Sequence, residues 1–352
     1  MALDLFCSIT ILCRYQTVFR YIYNLTTAIA ELTAVFHYAP LLRQEHPSIC
    51  SYQTPKYPSY YKETTMTATK DTLAISYRAM TETDIDTAYE LSQAVKWPHR
   101  IDDWKIVHNL GTGFVAELDG RPIGTVLCWD HGENYSSLGM VIVSPDKQGN
   151  GIGRKLMNQI LDEIGEQKNV LLFATPSGQP LYESFGFSAS GNVYQHQAIV
   201  EKTTAIEANA TEGLRKMTQG DYTTIAKLAE TSCGLARTTT LNEVLKSASG
   251  VVVETQGEIT GFALIRKFGR GYAIGPVIAT SQEQAKILIQ SLIDTHVNEF
   301  VRIDIPQSSE LSPWLEEIGL PQVDTVVEMV RGKIPLRDTQ MRQFALISQA
   351  LG

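Results

Sequence analysis

A glycine-rich loop is the part of this sequence best suited to chemistry. It follows an apolar run, Val141, Ile142 and Val143, and it reads Gln148, Gly149, Asn150, Gly151, Ile152, Gly153 and Arg154. Backbone N–H groups at a helix N-terminus bind anions, and glycines let a pyrophosphate approach the main chain. The loop has neither the Gly-Lys-Ser/Thr of a Walker loop nor the GxGxxG order of a dinucleotide fold. It therefore predicts a phosphate cradle of another kind.

The elements that position this loop can be predicted from apolar spacing and turn residues. The predicted order is β-α-α-β-β-β-α-β-α-β, which indicates an α/β fold with a mixed sheet rather than a doubly wound nucleotide fold. The segments are strand 75–78, helix 84–95, strands 114–118, 123–128 and 139–143, helix 154–164, strand 170–174, short helix 180–185 and strand 193–200.

The sequence also contains an internal repeat at an offset of 137 residues. The segment from Arg78 to Asp84 recurs from Arg215 to Asp221. At the same offset Glu117, Gly120 and Gly124 recur as Glu254, Gly257 and Gly261. Separated matches at a single offset predict two copies of one fold.

The glycine loop and a later motif resemble the GNAT superfamily of N-acetyltransferases. The signature Q/R-x-x-G-x-G/A is matched by Gln148, Gly151 and Gly153, and Leu-Tyr-Glu-x-x-Gly-Phe is matched by residues 181–187. The resemblance covers residues 75–200, and the second copy looks like the degenerate trailing domain of the two-domain YitH-like branch. It implies tandem GNAT-like acyl-CoA N-acyltransferase folds, each a mixed, mostly antiparallel sheet flanked by helices.

The same resemblance implies acetyl-CoA as co-substrate and no metal. Main-chain groups of Val141, Ile142 and Val143 would bind the pantetheine and the thioester carbonyl, and residues 148–154 would bind the pyrophosphate. Tyr182 would be the general acid that protonates the departing thiolate, with packing of this ring on the sheet as the alternative. A phenol, whose ordinary pKa is about 10, suits that proton transfer.

The general base is the residue that the sequence indicates least clearly. Members of the superfamily often use a carboxylate on or near the central strands, but the run 139–143 contains no acid. Asp130 and Glu133, just before that run, are the candidates, and Glu117 is an outsider. For each of them a solvated loop charge is the alternative.

An aromatic segment lies where the superfamily builds its acceptor pocket. Trp97, Asp103 and Trp104 fall between the first strand and the hairpin, and aromatic faces with carboxylates suit a cation. Together with the acidic balance, they favour a cationic acceptor such as a polyamine or amino sugar. Packing of the tryptophans as helix core is the alternative.

The second copy lacks the residues that would bind the co-substrate. Gly149, Gly151 and Gly153 correspond to Lys286, Leu288 and Gln290, and Leu315 falls where Tyr182 stands. We therefore expect this copy not to bind acetyl-CoA in the same way. Its predicted role is to cover the first copy, either completing the acceptor pocket or forming a homodimer contact.

The first 65 residues differ in composition from the remainder of the chain. None of the 25 glycines lies there, whereas eight of the 15 tyrosines do. No uncharged apolar stretch reaches the roughly 18 residues of a membrane span. We interpret residues 1–65 as a disordered or non-native extension, with a membrane-surface anchor as the alternative.

The remaining boundaries follow from the repeat. They are a linker at 66–74, a catalytic domain at 75–200, a linker at 201–210, a degenerate domain at 211–333 and a tail at 334–352. Apolar residues from Met341 to Gly352 recur at near-helical spacing, so this tail is predicted to dock as a short helix.

Overall composition limits the class of protein. The 352 residues are 43% hydrophobic and 19% charged, as in globular proteins. The net charge of −8 gives no broad basic face for nucleic acid, and no membrane partner is expected. Five cysteines without a CxxC pair favour a reduced, cytoplasmic setting, and the histidines have no metal-ligand spacing.

These observations predict an acetyl-CoA-dependent N-acetyltransferase acting on a primary amine of a small molecule. The acceptor would be polyamine-, amino-sugar- or amino-acid-like, attacked directly in a ternary complex. A protein lysine or N-terminal acetyltransferase is the first alternative. The second, from a different functional class, is a non-catalytic acyl-CoA-binding sensor.

Overall fold

The computed structural model describes residues 75–201 and 212–352, all within one compact unit, Asp71–Gly352. We refer to 75–201 as the first copy and to 212–352 as the second copy. The predicted extension at 1–65, the linker 66–74 and residues 202–211 lie outside the described residues. Within the described ranges, none of the helices is both long enough and apolar enough to cross a membrane.

The first copy has the element order that the sequence predicts. Its α/β architecture, with a mixed sheet and helices, confirms the predicted fold class. The elements are β1 Ser76–Ala79, α1 Ile85–Ala94, α2 Ile101–Leu110, β2 Thr112–Leu118, β3 Arg121–Asp130, β4 Tyr135–Val143, α3 Ile152–Ile164, β5 Asn169–Ala174, α4 Gln179–Glu183 and β6 Ser188–Ile199.

Helix α3 illustrates how the sequence pattern positions the glycine loop. Its apolar residues Leu156, Ile160, Leu161 and Ile164 recur at helical spacing and are all buried. They form one stripe that packs on the sheet beside β3 and β4. This packing fixes the start of α3, and with it the loop, next to the end of β4.

The second copy repeats the same succession of elements. These are β7 Leu214–Lys216, α5 Tyr222–Cys233, α6 Thr238–Leu245, β8 Ala248–Thr255, β9 Glu258–Phe268, β10 Gly271–Ala279, α7 Gln282–Asp294, β11 Phe300–Pro306, α8 Ser312–Glu317 and β12 Gln322–Arg331. One further strand, β13 Arg342–Ala345, follows.

The predicted helix in the C-terminal tail is wrong. Phe344, Leu346, Ile347 and Leu351 are buried, as their apolar spacing suggests, but Arg342–Ala345 is a strand that pairs with β10. An extended segment is favoured here because the edge of β10 beyond Ile274 offers main-chain groups that need partners.

The two copies share one sheet and exchange their last strands. The strand order is β1-β2-β3-β4-β5-β12-β6-β11-β10-β9-β8-β7. Strand β12 of the second copy pairs with β5 of the first copy, and β6 of the first copy pairs with β11 of the second. Strands β6 and β12 also pair with each other. Each copy therefore completes the sheet of the other.

The internal repeat corresponds to a structural network rather than to catalysis. Arg78 Nη1 lies 2.7 Å from Asp84 Oδ2, and Arg78 Nη2 lies 2.6 Å from Glu117 Oε2. Arg215 binds Asp221 and Glu254 in the same way. Hydrogen bonds from Arg78, opposed by burial, lower the pKa of Asp84. Each network ties the first strand of its copy to the following helix and hairpin.

Candidate functional site

Strands β4 and β5 separate partway along their length. They pair in parallel from Tyr135 to Ser137 on β4 and from Asn169 to Leu171 on β5. Beyond these residues β4 stays with β3, whereas β5 pairs with β12. Among the described strands, none pairs with the main-chain edge of β4 from Leu138 to Val143 on this side. We call this opening the first-copy cleft.

A β-bulge lies on β4 within the first-copy cleft. Met140 has a φ of 52°, which is unusual for a residue with a side chain, and the ladder with β3 shifts register between Thr125 and Leu127. The hydroxyl of Thr125 donates a 2.7 Å hydrogen bond to the carbonyl oxygen of Met140. Bulges re-aim groups next to functional sites. No local signal in the sequence marks Met140 for this conformation.

The glycine loop has open space where a ligand can approach its backbone. Gly149 and Gly151 have φ angles of 78° and 76°, and a Cβ on either would have no atom within 4 Å. The side chain of Gln148 donates a 3.1 Å hydrogen bond to the carbonyl oxygen of Val143, which holds the loop against the end of β4. Asn150 and Arg154 make their hydrogen bonds to Lys147, Gln148 and Ser184.

The second copy begins its corresponding helix differently, and the correspondence predicted at the offset of 137 is wrong here. Lys286, Leu288 and Gln290 lie inside α7, whereas the N-cap Ser281 stands where Gly151 does. Helix α7 begins directly after β10, and its N-cap Ser281 accepts a hydrogen bond from the N–H of Gln284. The side chain of Gln284 in turn accepts from the N–H of Thr280 at 2.9 Å. In the first copy, the N-cap Gly151 provides no side chain, so the first-turn N–H groups remain available. The first copy therefore fits a pyrophosphate and the second does not.

A strand occupies the matching cleft of the second copy. Strands β10 and β11 pair in parallel only from Tyr272 to Ile274 on β10. Beyond that point β13 pairs with β10 from Val277 to Ala279. The N–H of Leu346, just after β13, donates a 2.9 Å hydrogen bond to the carbonyl oxygen of Asp304 on β11. The chain itself thus fills the opening that is free in the first copy.

Tyr182 lies on α4, the short helix that follows β5. A Cβ on Gly178 would lie 3.2 Å from the Tyr182 ring and 3.3 Å from the hydroxyl of Thr175, so both side chains flank this glycine. Tyr182 packs edge-on to Phe187 with 6.2 Å between the ring centroids. Burial raises the pKa of its phenol to about 12. Its hydroxyl makes no hydrogen bond to another described residue.

A cavity of about 600 Å³ lies between the two copies. Residues 96–100, which connect α1 to α2, line it together with Gly139, Met140 and Thr175 of the first-copy cleft. The second copy contributes the turn from Phe268 to Arg270 as well as Arg302, Asp324 and residues 348–350. We call this space the acceptor cavity. It places side chains of the second copy beside the open edge of β4.

Two residues expected to contact the acceptor do not line this cavity. Trp104 is fully buried, and its indole N–H donates a 3.2 Å hydrogen bond to Ser92. The carboxylate of Asp103 is also buried and accepts hydrogen bonds from the N–H groups of Arg100 and Gly269. The expectation that they contact the acceptor is corrected for both residues. Trp104 packs in the core, and Asp103 links the first copy to the second. Trp97 does line the acceptor cavity.

Asp130 and Glu133 lie at the wrong end of β4 for the expected role of general base. Asp130 pairs with Ser136, which along the strand is roughly 16 Å from Val141. Its carboxylate binds Lys168 at 2.7 Å. Although burial opposes it, hydrogen bonds from Lys168 and Ser136 lower the pKa of Asp130 and make it a weaker base. Glu133 is exposed in the turn before β4.

The structure thus corrects the expectation for Asp130 and Glu133. Glu117, the third candidate for the general base, forms an ion pair with Arg78. Among the described residues that line the acceptor cavity, Asp324 is the one with a carboxylate side chain. Sequence reasoning missed Asp324 and Arg302 because they lie in the other copy. The alternation of Arg302 and Asp304 with isoleucines in β11 was the available signal, since charges on a buried strand are unusual.

Comparison with known proteins identifies both copies. A family model described as "Acetyltransferase (GNAT) domain" matches residues 109–189, and another of the same description matches residues 225–345. The uncharacterised N-acetyltransferase YitH of Bacillus subtilis (strain 168) is 30% identical over 223 residues, which are 62% of this chain and 77% of that protein.

Two further similarities agree with this finding. A holothin acyltransferase of Pseudoalteromonas sp. (strain SANK 73390) is 23% identical over 269 residues, or 75% of this chain and 90% of the relative. A crystal structure from Pyrococcus horikoshii, of a protein proposed to be an acetyltransferase, has a TM-score of 0.66 at 19% identity, covering 86% of this chain and all of that one. The chain belongs to the GNAT family of N-acetyltransferases and contains two domains of it.

Proposed function

We propose that this enzyme transfers an acetyl group from acetyl-CoA to a primary amine of a small molecule, by direct attack in a ternary complex. One observation carries the proposal: the first-copy cleft lies between the glycine loop and the acceptor cavity, whereas the matching cleft of the second copy is filled by β13. When bound, acetyl-CoA supplies the acetyl group as a thioester. The amine would enter from the acceptor cavity.

The residues that would hold the co-substrate are those of the cleft and the loop. Main-chain N–H groups of residues 149–154 would bind the pyrophosphate, helped by the positive end of the α3 dipole. Main-chain groups of Val141, Ile142 and Val143, on the open edge of β4, would bind the extended pantetheine. The Met140 bulge interrupts the ladder with β3 next to these residues, which frees main-chain groups for the thioester carbonyl.

Tyr182 would be the general acid. With a pKa raised by burial to about 12, its phenol stays protonated throughout the neutral range. A protonated hydroxyl that lacks a partner among the described residues can donate to the leaving thiolate. For the amine proton, Asp324 replaces Asp130 and Glu133 as the candidate acceptor because it lines the acceptor cavity.

Dimensions of the acceptor cavity favour a small acceptor over a protein segment. About 600 Å³ lies within the range of small-molecule sites. Residues of both copies line the space. The name of the holothin acyltransferase relative states that it acylates holothin. The second domain would then serve to complete the acceptor site.

Release of the CoA thiol from acetyl-CoA tests this function, measured with a panel of amino acids, polyamines, amino sugars and lysine peptides. We expect release with at least one small amine. Binding of acetyl-CoA without release with any amine would indicate a sensor instead, and release with peptides alone would indicate a protein acetyltransferase. Either outcome would contradict the proposal.

Two matched glycine variants test the site of binding. Gly149 and Gly120 have φ angles of 78° and 77°, and neither has an atom within 4 Å of an added Cβ. Valine at either position carries the same backbone strain. Only Gly149→Val should weaken acetyl-CoA binding in calorimetry, by tenfold or more, because Gly120 lies in the β2–β3 turn. Equal affinities in the two variants would rule out the loop as the pyrophosphate site.

A further inference from the structure

The charge of the acceptor cavity indicates a substrate class that the whole-chain composition does not. Lys96, Arg100, Arg270 and Arg302 line the cavity, and Asp324 is the acidic side chain among the described lining residues. The chain as a whole carries a net charge of −8. A basic cavity within an acidic protein attracts anionic ligands and disfavours polycations.

Arginines outnumber carboxylates in two ion-pair clusters that include the lining residues Arg100 and Arg302. Asp103 binds Arg100 at 2.9 Å and lies 3.7 Å from Arg266, while Asp304 binds Arg302 at 2.9 Å. Three guanidinium groups therefore face two carboxylates. Arg266 is nearly completely buried, and its Nε has no hydrogen-bond partner among the described residues. Buried charge in excess is costly unless a counter-ion is supplied.

Arg302 is held in a fixed orientation with one donor group to spare. Its Nε and Nη2 donate to the carboxylate of Asp304, which Gln349 also contacts at 3.1 Å. Its Nη1 makes no hydrogen bond to a described residue and is not among the enclosed unpartnered atoms. Because Arg302 lines the cavity, this nitrogen is the donor available to a ligand there. A pinned guanidinium is well suited to a carboxylate or phosphate.

Two more cations at the cavity have no carboxylate partner in the described part of the chain. Lys96 and Arg270 are exposed and form no ion pair within 4.0 Å there. Arg270 stacks on the ring of Phe300 at 4.4 Å, which positions its side chain without neutralising it. Arg270 and Arg302 both come from the second copy, so this copy would supply the charges that select the acceptor.

We infer that the acceptor is an amine that also carries an anionic group, a carboxylate or a phosphate, bound by Arg302 and Arg270 of the second copy. This inference rests on the proposed function. The amine of such a molecule would extend toward Gly139 and Met140 while the anion remains at the far wall. This inference replaces the cationic acceptor that we expected from the acidic composition of the chain. Tyr89, Trp97, Phe173 and Phe268 also line the cavity, so an aromatic or apolar substituent would fit.

The test compares matched pairs of amines in the full-length protein. The twenty standard L-amino acids are each compared with their carboxamides, and O-phosphoethanolamine is compared with ethanolamine, with spermidine as a polycation. CoA-thiol release gives kcat/KM for each. We expect at least one anionic amine to be favoured over its neutral partner by tenfold or more. A preference for a carboxylate or for a phosphate would identify which anion is bound.

Variants assign the preference to the arginines. Arg270→Gln should lower kcat/KM for the anionic amine about tenfold and leave its neutral partner within twofold, and Arg270→Lys should restore part of the loss. Arg302→Lys keeps a charge beside Asp304 and should reduce the preference without unfolding the protein. Arg121→Gln, an exposed arginine paired with Glu90, is the control and should keep the wild-type preference.

A binding measurement separates this inference from the proposed function. N-acetyl-L-phenylalanine and its amide are titrated into the protein by calorimetry, alongside the amine pairs. If no amine is acetylated but the anionic member of any pair binds at least tenfold tighter, the inference stands and the proposed function fails. Equal binding of the pairs, tighter binding of spermidine, or no binding and no turnover would overturn the inference.

Discussion

The N–H of Gly269 in the second copy donates a 3.0 Å hydrogen bond to Asp103 Oδ2 in the first copy. Asp103 also accepts from the backbone and side chain of Arg100, whose guanidinium donates to the carbonyl oxygen of Lys267. This buried junction lies beside the acceptor cavity. It holds the 96–100 segment of the first copy against the β9–β10 turn of the second, so the geometry of the cavity depends on it.

Gly269→Ala should disrupt this junction. Gly269 has a φ of 54°, and a Cβ there would lie 3.0 Å from the carbonyl oxygen of Pro98. Strain at such a position costs of order 1–3 kcal/mol. We expect lower stability in urea unfolding and a raised KM for the acceptor, with acetyl-CoA affinity little changed.

Gly257→Ala provides the matched control for that substitution. Gly257 also has a positive φ, 82°, but it has no atom within 4 Å of an added Cβ. Its effect on the acceptor KM should be negligible. Equal effects of the two substitutions on KM would mean that the junction does not shape the acceptor cavity.

Tyr182→Phe should lower kcat by about 100-fold, the lower range for loss of a general acid. The phenylalanine keeps the packing against Phe187, so acetyl-CoA affinity and stability should stay near the wild-type values. Tyr272→Phe, a half-buried tyrosine on β10, serves as the control. Stopped-flow detection of CoA release measures the chemical step. An unchanged kcat in Tyr182→Phe would leave the tyrosine with a packing role alone.

The first domain should not fold by itself. A fragment of residues 66–210 lacks β11 and β12, so β5 would lose one neighbouring strand and β6 would lose both. Unpaired sheet edges with apolar faces tend to aggregate. We expect this fragment to be insoluble or partly unfolded by circular dichroism, and co-expression with residues 211–352 to restore a soluble complex. A monomeric fragment that unfolds cooperatively and binds acetyl-CoA would contradict this expectation.

His131 should make stability depend on pH between 5 and 7. Burial lowers its pKa to about 3, whereas histidine in an unfolded chain has a pKa of about 6.5. On acidification from pH 7 to pH 5, the unfolded chain takes up a proton at this residue and the folded chain does not. This removes about 2 kcal/mol of stability.

The variant His131→Gln isolates that contribution. Glutamine retains a hydrogen-bonding group for Ser137, which contacts the His131 ring nitrogen at 2.8 Å. In urea unfolding, the variant should lose about 2 kcal/mol less than the wild type when the pH falls from 7 to 5. The same loss in both proteins would show that His131 is not responsible.

Local parts of the fold and site are predictable from the sequence. The order of elements in the first copy follows from apolar periodicity and from turn residues such as Asp119 and Gly120. The glycine loop and Tyr182 are each part of a motif only a few residues long, so they can be recognised without knowing which distant strands pair. The absence of the loop from the second copy is also visible in the sequence, but the offset of 137 assigns it to the wrong residues. Lys286, Leu288 and Gln290 lie inside α7, and Ser281 stands where Gly151 does.

Features that depend on distant pairing are not predictable in this way. Nothing near β6 or β12 encodes that they exchange sheets, because each strand would look the same beside either partner. Likewise the apolar residues of the tail predict burial, but only the free edge of β10 makes Arg342–Ala345 a strand. Asp103 and Trp104 are residue types typical of a cation site. In the structure, however, the Asp103 carboxylate accepts a hydrogen bond from Gly269 and the Trp104 indole donates one to Ser92.

The strand in the second cleft has a consequence for ligand stoichiometry. A covalently attached occupant acts at an effective concentration that a short tether raises to the millimolar range, so a free thioester must compete against it in every molecule. Replacing the N-cap Ser281 by glycine would therefore not create a second donor site while β13 stays in place. Calorimetric titration should give one equivalent of acetyl-CoA per chain, although the gene encodes the fold twice.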